Sequence, residues 1–180
     1  MIIGDFDSLE QHPEAVSAIS AVNSQDTEGP VVFRKPTKKD LTDTALCIEY
    51  AVEQGFRHIL VVGGLGGRAD HSIANIQNLV AAAENGVSII MLDQQNLVMV
   101  LIDDETILPA REGWKLSLFS YSPQCTGVTV TGTAYPLQDA VLTSDFPLGV
   151  SNEITGKAAG IKVRSPTRSE ERRVGKECRS

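Results

Sequence analysis

The stretch GGLGGRADH, Gly63–His71, constrains the fold more than any other part of the chain. Before it stands Ile59–Val62, an apolar run rich in β-branched residues that reads as a buried strand. From Asp70 onward, Ile73, Ala74, Ile76, Gln77, Leu79 and Val80 recur at helical spacing. Strand, glycine turn and helix make half of a parallel α/β unit, and such a sheet takes its ligands just beyond the carboxyl ends of its strands. The glycines permit positive φ and close approach of a ligand to the backbone. Arg68 brings a rigid donor fork suited to phosphate oxygens, and Asp70 can face a cation or accept a proton. A plain loop would explain the glycines; the embedded arginine and acid point instead to a polar site.

Acidic residues gather at other element ends. Ile2–Gly4 reads as a strand running into Asp5-Phe6-Asp7-Ser8. Asp5 and Asp7 are two residues apart, so an extended chain aims both the same way. Carboxylates that close repel unless a hard cation or hydrogen bonds compensate, which suggests Mg²⁺; a turn or helix cap is the plainer alternative. Val31–Phe33 reads as another strand. Beyond it Leu41, Ala45, Ile48, Ala51 and Val52 mark a helical stripe closed by Gly55. Asp40, Thr42 and Asp43 lie at its start, where capping and the helix dipole favour such residues even without a ligand. Asn75, one turn past His71, is a further site candidate, whereas His58 and His71 suit structural or capping roles. Cys47, within a helical run, reads as a small buried hydrophobe.

Ser88–Leu92 is a further strand, and the periodicity changes after Asn96. Short runs at Leu97–Ile102, Lys115–Ser120, Gly127–Thr133 and Gly160–Val163, separated by turn residues, predict an all-β second domain. Ser151 and Asn152 read as turn residues, and Trp114 as core or interface. The expected organisation is therefore a parallel-sheet α/β domain over residues 1–94 and a β-sandwich over 95–165. Residues 166–180 are expected to be disordered or foreign to the natural protein, and the abrupt start at MIIGD suggests missing upstream β-α material.

The 180 residues carry a formal charge of -7, with no basic face for nucleic acid. Three scattered cysteines do not form a zinc pattern. No signal peptide or membrane-spanning run is evident, so the expected setting is cytoplasmic.

Taken together, IIGDFDSL, KDLTDTALCIEYA, GGLGGRADHSIANIQNL, YPLQDAVL and GVSNEITG, in this order, resemble the thiamin pyrophosphokinase (thiamine diphosphokinase) family, bacterial type. The resemblance runs from Met1 to about Val163. It implies a catalytic α/β domain that binds ATP and Mg²⁺, followed by a thiamin-binding β-sandwich. It also implies a homodimer with shared active sites, acting on thiamin and ATP without nucleic acid or membrane. The implied reaction transfers the diphosphoryl group of ATP to thiamin, giving thiamin diphosphate and AMP.

By that resemblance Asp5, Asp7 and Asp43 form the metal site, and Asp43, Arg68 and Asp70 the catalytic set. ATP would be held by Asp5, Asp7, Asp40, Thr42, Gly66, Gly67, Arg68 and Asn75, and thiamin by Ser151 and Asn152. Either Asp43 or Asp70 can serve as the base. The family's earlier glycine- and aspartate-bearing segment would precede the IIGDFDSL block and is expected to be missing from these residues. The alternatives are a homologue or fragment that binds nucleotide or thiamin without turnover, and a phosphotransferase acting on another alcohol.

Overall fold

The computed structural model describes residues 2–4, 32–34 and 41–164. The chain divides into two compact units, Met1–Met99 and Val100–Ser180.

In the first unit, β1 (Ile2–Gly4) and β2 (Val32–Arg34) pair in parallel, with Ile3 opposite Phe33. Helix α1 (Asp43–Glu53) begins where Thr42 caps it, the Thr42 hydroxyl accepting from the Ala45 N–H at 3.3 Å. Ala45 and Ile48, three apart, form its buried stripe. Strand β3 (His58–Val62) leads through the glycine turn into α2 (Ala69–Glu84). Helix α2 buries Asn75, Leu79 and Ala82, at i, i+4 and i+7, and packs on β4 (Ser88–Leu92). On β4 the alternate residues Ile89 and Met91 are buried, as Val87 is just before it.

The expectation of a parallel-sheet catalytic domain requires correction. Strands β3 and β4 are parallel, but β5 (Leu97–Met99) returns antiparallel to β4 with Leu97 opposite Leu92, giving a mixed three-stranded sheet. The physical cause lies in Asp93–Asn96. The Asp93 carboxylate accepts from the N–H groups of Gln95 and Asn96 at 2.7 and 2.6 Å, and the Asp93 N–H donates to the Asn96 carbonyl. Four residues suffice for a hairpin, whereas a parallel neighbour needs a crossover of a dozen or more. Sheets across the described residues are mostly antiparallel, with only the two helices α1 and α2 beside them.

The second unit is all-β among its described residues. β6 (Glu105–Pro109), β8 (Gln124–Thr131), β9 (Leu137–Thr143) and β11 (Ala158–Lys162) form an antiparallel sheet in the order β6-β11-β8-β9. β7 (Leu116–Leu118) and β10 (Gly149–Asn152) form an antiparallel pair. Val128 with Val130 and Ala159 with Ile161 alternate inward at the strand period of two, joining Leu142 and Leu116 in one core. Lys162 and Glu105, directly opposite across the β11–β6 ladder, pair at 2.8 Å.

Several strand readings need adjustment. β6, β9 and β10 fall outside the runs read from the sequence: β6 exposes Ile107, β9 exposes Gln138 and Asp139 in succession, and β10 buries Gly149 and Asn152 while exposing Val150. Cys47, read as buried, is exposed on α1.

Candidate active site

At the end of β3 the chain is pinned before it turns, the Gly63 N–H donating to the Leu92 carbonyl of the adjacent strand at 3.1 Å. Gly63, Gly66 and Gly67 then adopt φ of 79°, 91° and 66°, a region that other residues enter only with strain. A side-chain carbon at Gly66 or Gly67 would meet open space, so here glycine serves backbone conformation. Gly64 differs: an added Cβ would stand 2.6 Å from the Sδ of Met91, which is fully buried. The back of the turn therefore rests on the sheet, and its front is open.

Asn75 closes the back of the turn. It is buried at 6% exposure, and its side-chain amide donates to the Gly64 carbonyl at 2.8 Å. Named from the sequence for a ligand, it holds the turn in this structure. Met91, the floor under Gly64, escaped sequence reasoning; the alternation of Ile89 and Met91 on a buried strand was the available signal.

Arg68 and Asp70 stand at the exit of the turn. The guanidinium grips the carboxylate through both oxygens, Nε to Oδ1 at 3.1 Å and Nη2 to Oδ2 at 2.5 Å. The side chains remain 74% and 63% exposed. The hydrogen bond from Arg68 holds the Asp70 carboxyl below the ordinary carboxylate range, with help from the His71 N–H at 3.0 Å. The Asp70 hydrogen bond in turn raises the arginine. This is an accessible cation oriented by an acid, beside open backbone at the N-terminus of a 16-residue helix. Such a terminus favours anions, and Arg68 can recognise phosphate oxygens two at a time.

Thr42 and Asp43 sit at the start of α1, and α1 packs against α2. The Thr42 oxygen is engaged as the cap, and Asp43 is exposed in the first turn. Asp5, Asp7 and Asp40 lie outside the described residues. Among the described residues no three His, Cys, Asp or Glu side chains gather to hold a metal.

In the second unit, β10 carries one extra residue relative to β7 between the pairs Gly149–Leu118 and Asn152–Leu116, a β-bulge. Ser151 lies in this bulge at φ 61°, a conformation costing a non-glycine residue about 1–3 kcal/mol. Its N–H, turned from the ladder, donates to the Ser117 hydroxyl at 3.1 Å. Ser151 is exposed and Asn152 is 6% exposed. The Asn152 oxygen accepts from the N–H groups of Tyr135 and Glu153 at 3.0 and 2.9 Å. Its nitrogen donates to the Tyr135 carbonyl at 2.7 Å and the Thr133 hydroxyl at 3.3 Å. Trp114, read as core or interface, is partly exposed with the Arg111 guanidinium 5.0 Å from its ring centre.

Comparison with known proteins covers both units. Residues 1–91 match the family profile described as thiamin pyrophosphokinase, catalytic domain, and residues 104–167 match thiamin pyrophosphokinase, vitamin B1 binding domain. The thiamine pyrophosphokinase of Bacillus subtilis (strain 168) is 30% identical over 153 residues, covering 84% of this chain and 67% of the relative. Thiamin pyrophosphokinase 1 of Caenorhabditis elegans is 27% identical over 174 residues, covering 92% of this chain and 66% of the relative. The chain thus spans about two thirds of the length of these relatives. The crystal structure of the Bacillus subtilis thiamine pyrophosphokinase superposes with a TM-score of 0.74 at 28% identity, over 89% of this chain and 72% of that one. The thiamin pyrophosphokinase from Geobacillus thermodenitrificans gives 0.72 at 28%, over 89% and 71%.

Proposed function

Because the chain belongs to the thiamin pyrophosphokinase family, we propose that it transfers the diphosphoryl group of ATP to thiamin, forming thiamin diphosphate and AMP. The observation that carries this reading is the exposed Arg68–Asp70 pair at the mouth of a glycine turn anchored from behind. The thiamin hydroxyl oxygen bonds to the β-phosphorus of ATP, and the bond from that phosphorus to the α,β-bridging oxygen breaks. AMP leaves with the bridging oxygen, and the hydroxyl proton passes to a carboxylate.

The turn amides and the guanidinium face the phosphates, where pre-set donors stabilise developing charge without reorganising. Asp70, paired and shifted down by Arg68, is better suited to orienting the guanidinium than to taking a proton, since a good base has its pKa near the working pH. Asp43 is the other described candidate for that task. In this reading Asp40, Thr42, Gly66 and Gly67 also belong to the nucleotide site, and Ser151 belongs to the thiamin site.

Mg²⁺ is the cation this chemistry implies. The donor set Asp5, Asp7 and Asp43 consists of carboxylate oxygens alone, which suits a hard ion. When bound, it supplies neutralisation of phosphate charge. The reading extends to a homodimer in a cytoplasmic setting. No helix among the described residues is long and apolar enough to cross a membrane.

Thiamin-dependent AMP formation by the purified chain, with Mg²⁺ and ATP, tests the proposal. Asp70→Asn is expected to lower kcat by about 10²-fold or more with the circular dichroism spectrum unchanged. Nucleotide binding by the parent chain with no AMP formed would favour the binding-only reading.

A further inference from the structure

Gly63 and Gly64 are held from three sides before the chain reaches the exposed glycines. The Gly63 N–H donates to the Leu92 carbonyl, and Met91 fills the space where a Gly64 side chain would stand. The third anchor is the Gly64 carbonyl, which accepts from the Asn75 side-chain amide at 2.8 Å. This last contact fixes a direction as well as a position. A carbonyl only accepts, so the nitrogen end of the buried Asn75 faces Gly64. The Gly64–Leu65 peptide is planar and trans, which sets its C=O and N–H in opposite directions. With the carbonyl drawn toward α2, the Leu65 N–H is turned away from it. Gly64 and Leu65 are half-buried, and the exposed Gly66 and Gly67 follow with open space where side chains would stand. The Leu65 N–H thus lies at the edge of the open front of the turn, on the same loop as Arg68. A glycine on its N-terminal side would otherwise let this peptide rotate. Rotated, it would present a carbonyl oxygen, which repels an anion.

We propose that Asn75 is a positioning residue that locks the Gly64–Leu65 peptide, so that the Leu65 N–H donates to a phosphate oxygen of the nucleotide. The proposal rests on the reading of the glycine turn as the ATP site. It assigns one particular backbone donor and the side chain that aims it, a donor set in advance being worth more than one that must reorient.

NMR and steady-state kinetics of the full chain test this together. The probe is α,β-methylene ATP with Mg²⁺, whose α,β link the reaction cannot break. On titrating it into the parent, the Leu65 amide proton should move downfield as it gains a charged acceptor. Asn75→Ala leaves the Gly64 carbonyl without its donor, so its Tm should fall. Its KM for ATP is expected to rise at least ten-fold while the KM for thiamin stays within two-fold, a split that loss of stability alone does not produce. Asn75→Asp keeps the shape without the donor and should show the same split. A Leu65 amide that stays in place while calorimetry shows the analogue bound overturns the proposal and leaves the diphosphokinase reading standing. That result needs no variant to fold. An ATP KM within two-fold of the parent's in either variant also overturns it. A parent chain that neither binds the analogue nor forms AMP removes the nucleotide reading, and the proposal with it.

Discussion

The pairing of Arg68 with Asp70 has a direct consequence for titration. Since the hydrogen bond from Arg68 is the main cause of the low Asp70 pKa, Arg68→Gln should return the carboxyl toward the ordinary range. Carboxyl ¹³C shifts followed through acid pH would read this, and equal midpoints in parent and variant would contradict it. The sign for stability follows. A carboxyl depressed in the folded state contributes stability above its unfolded pKa and loses it as the pH falls through the depressed folded value. Both groups are exposed, so the pair's effect on stability is small and its effect on orientation is the larger one. Much at this scale was legible. A fork-shaped cation and an acid embedded in a glycine turn announce a polar site from the sequence. The internal hydrogen-bond partners of Asn75 and Asn152 were not legible, because a carboxamide that binds a ligand and one that bonds its own backbone are the same letter.

At the scale of elements, the glycine turn contains two kinds of glycine. Gly66 needs its φ of 91° and has empty space around it, whereas Gly64 is confined by the buried Met91. Both Gly64→Ala and Gly66→Ala are expected to destabilise, by about 1–3 kcal/mol through overpacking in the first case and about 1–2 kcal/mol through left-handed strain in the second. Urea unfolding in a double-mutant cycle with Met91→Val separates the two mechanisms. The shorter side chain should recover part of the Gly64→Ala loss and none of the Gly66→Ala loss; equal coupling to both would refute the distinction. The strand, turn and helix around Gly63–His71 could be read in advance because the period changes from two to 3.6 across the glycines. Pairing direction could not. Ser88–Leu92 and Leu97–Met99 look alike as apolar runs, and their antiparallel relation depends on how Asp93 hydrogen-bonds two particular backbone amides.

For the whole molecule, the decisive fact is that each unit is compact in its own right. Among the described residues, the core of the second unit is formed by Leu116, Val128, Val130, Leu142, Ala159 and Ile161, with Leu101, Leu108 and Ile154 packed around them. Its main sheet is antiparallel, and three of its strands follow one another in space as β11, β8 and β9, so its pairing needs nothing from residues before Val100. A fragment covering residues 100–164 should therefore fold alone. Its size limits how well: a single small core of this kind supplies on the order of 3 kcal/mol. The fragment is expected to show one cooperative urea transition of that magnitude and dispersed amide resonances, with the Val130 amide among the slowest to exchange because Val130 is fully buried on β8. A non-cooperative transition with collapsed dispersion would mean that the buried cluster needs the first unit to form. Val130→Ala sharpens the test, since removing methyl groups from a fully buried side chain should take away much of so small a margin, move the urea midpoint close to zero denaturant and populate the unfolded state measurably at 25 °C.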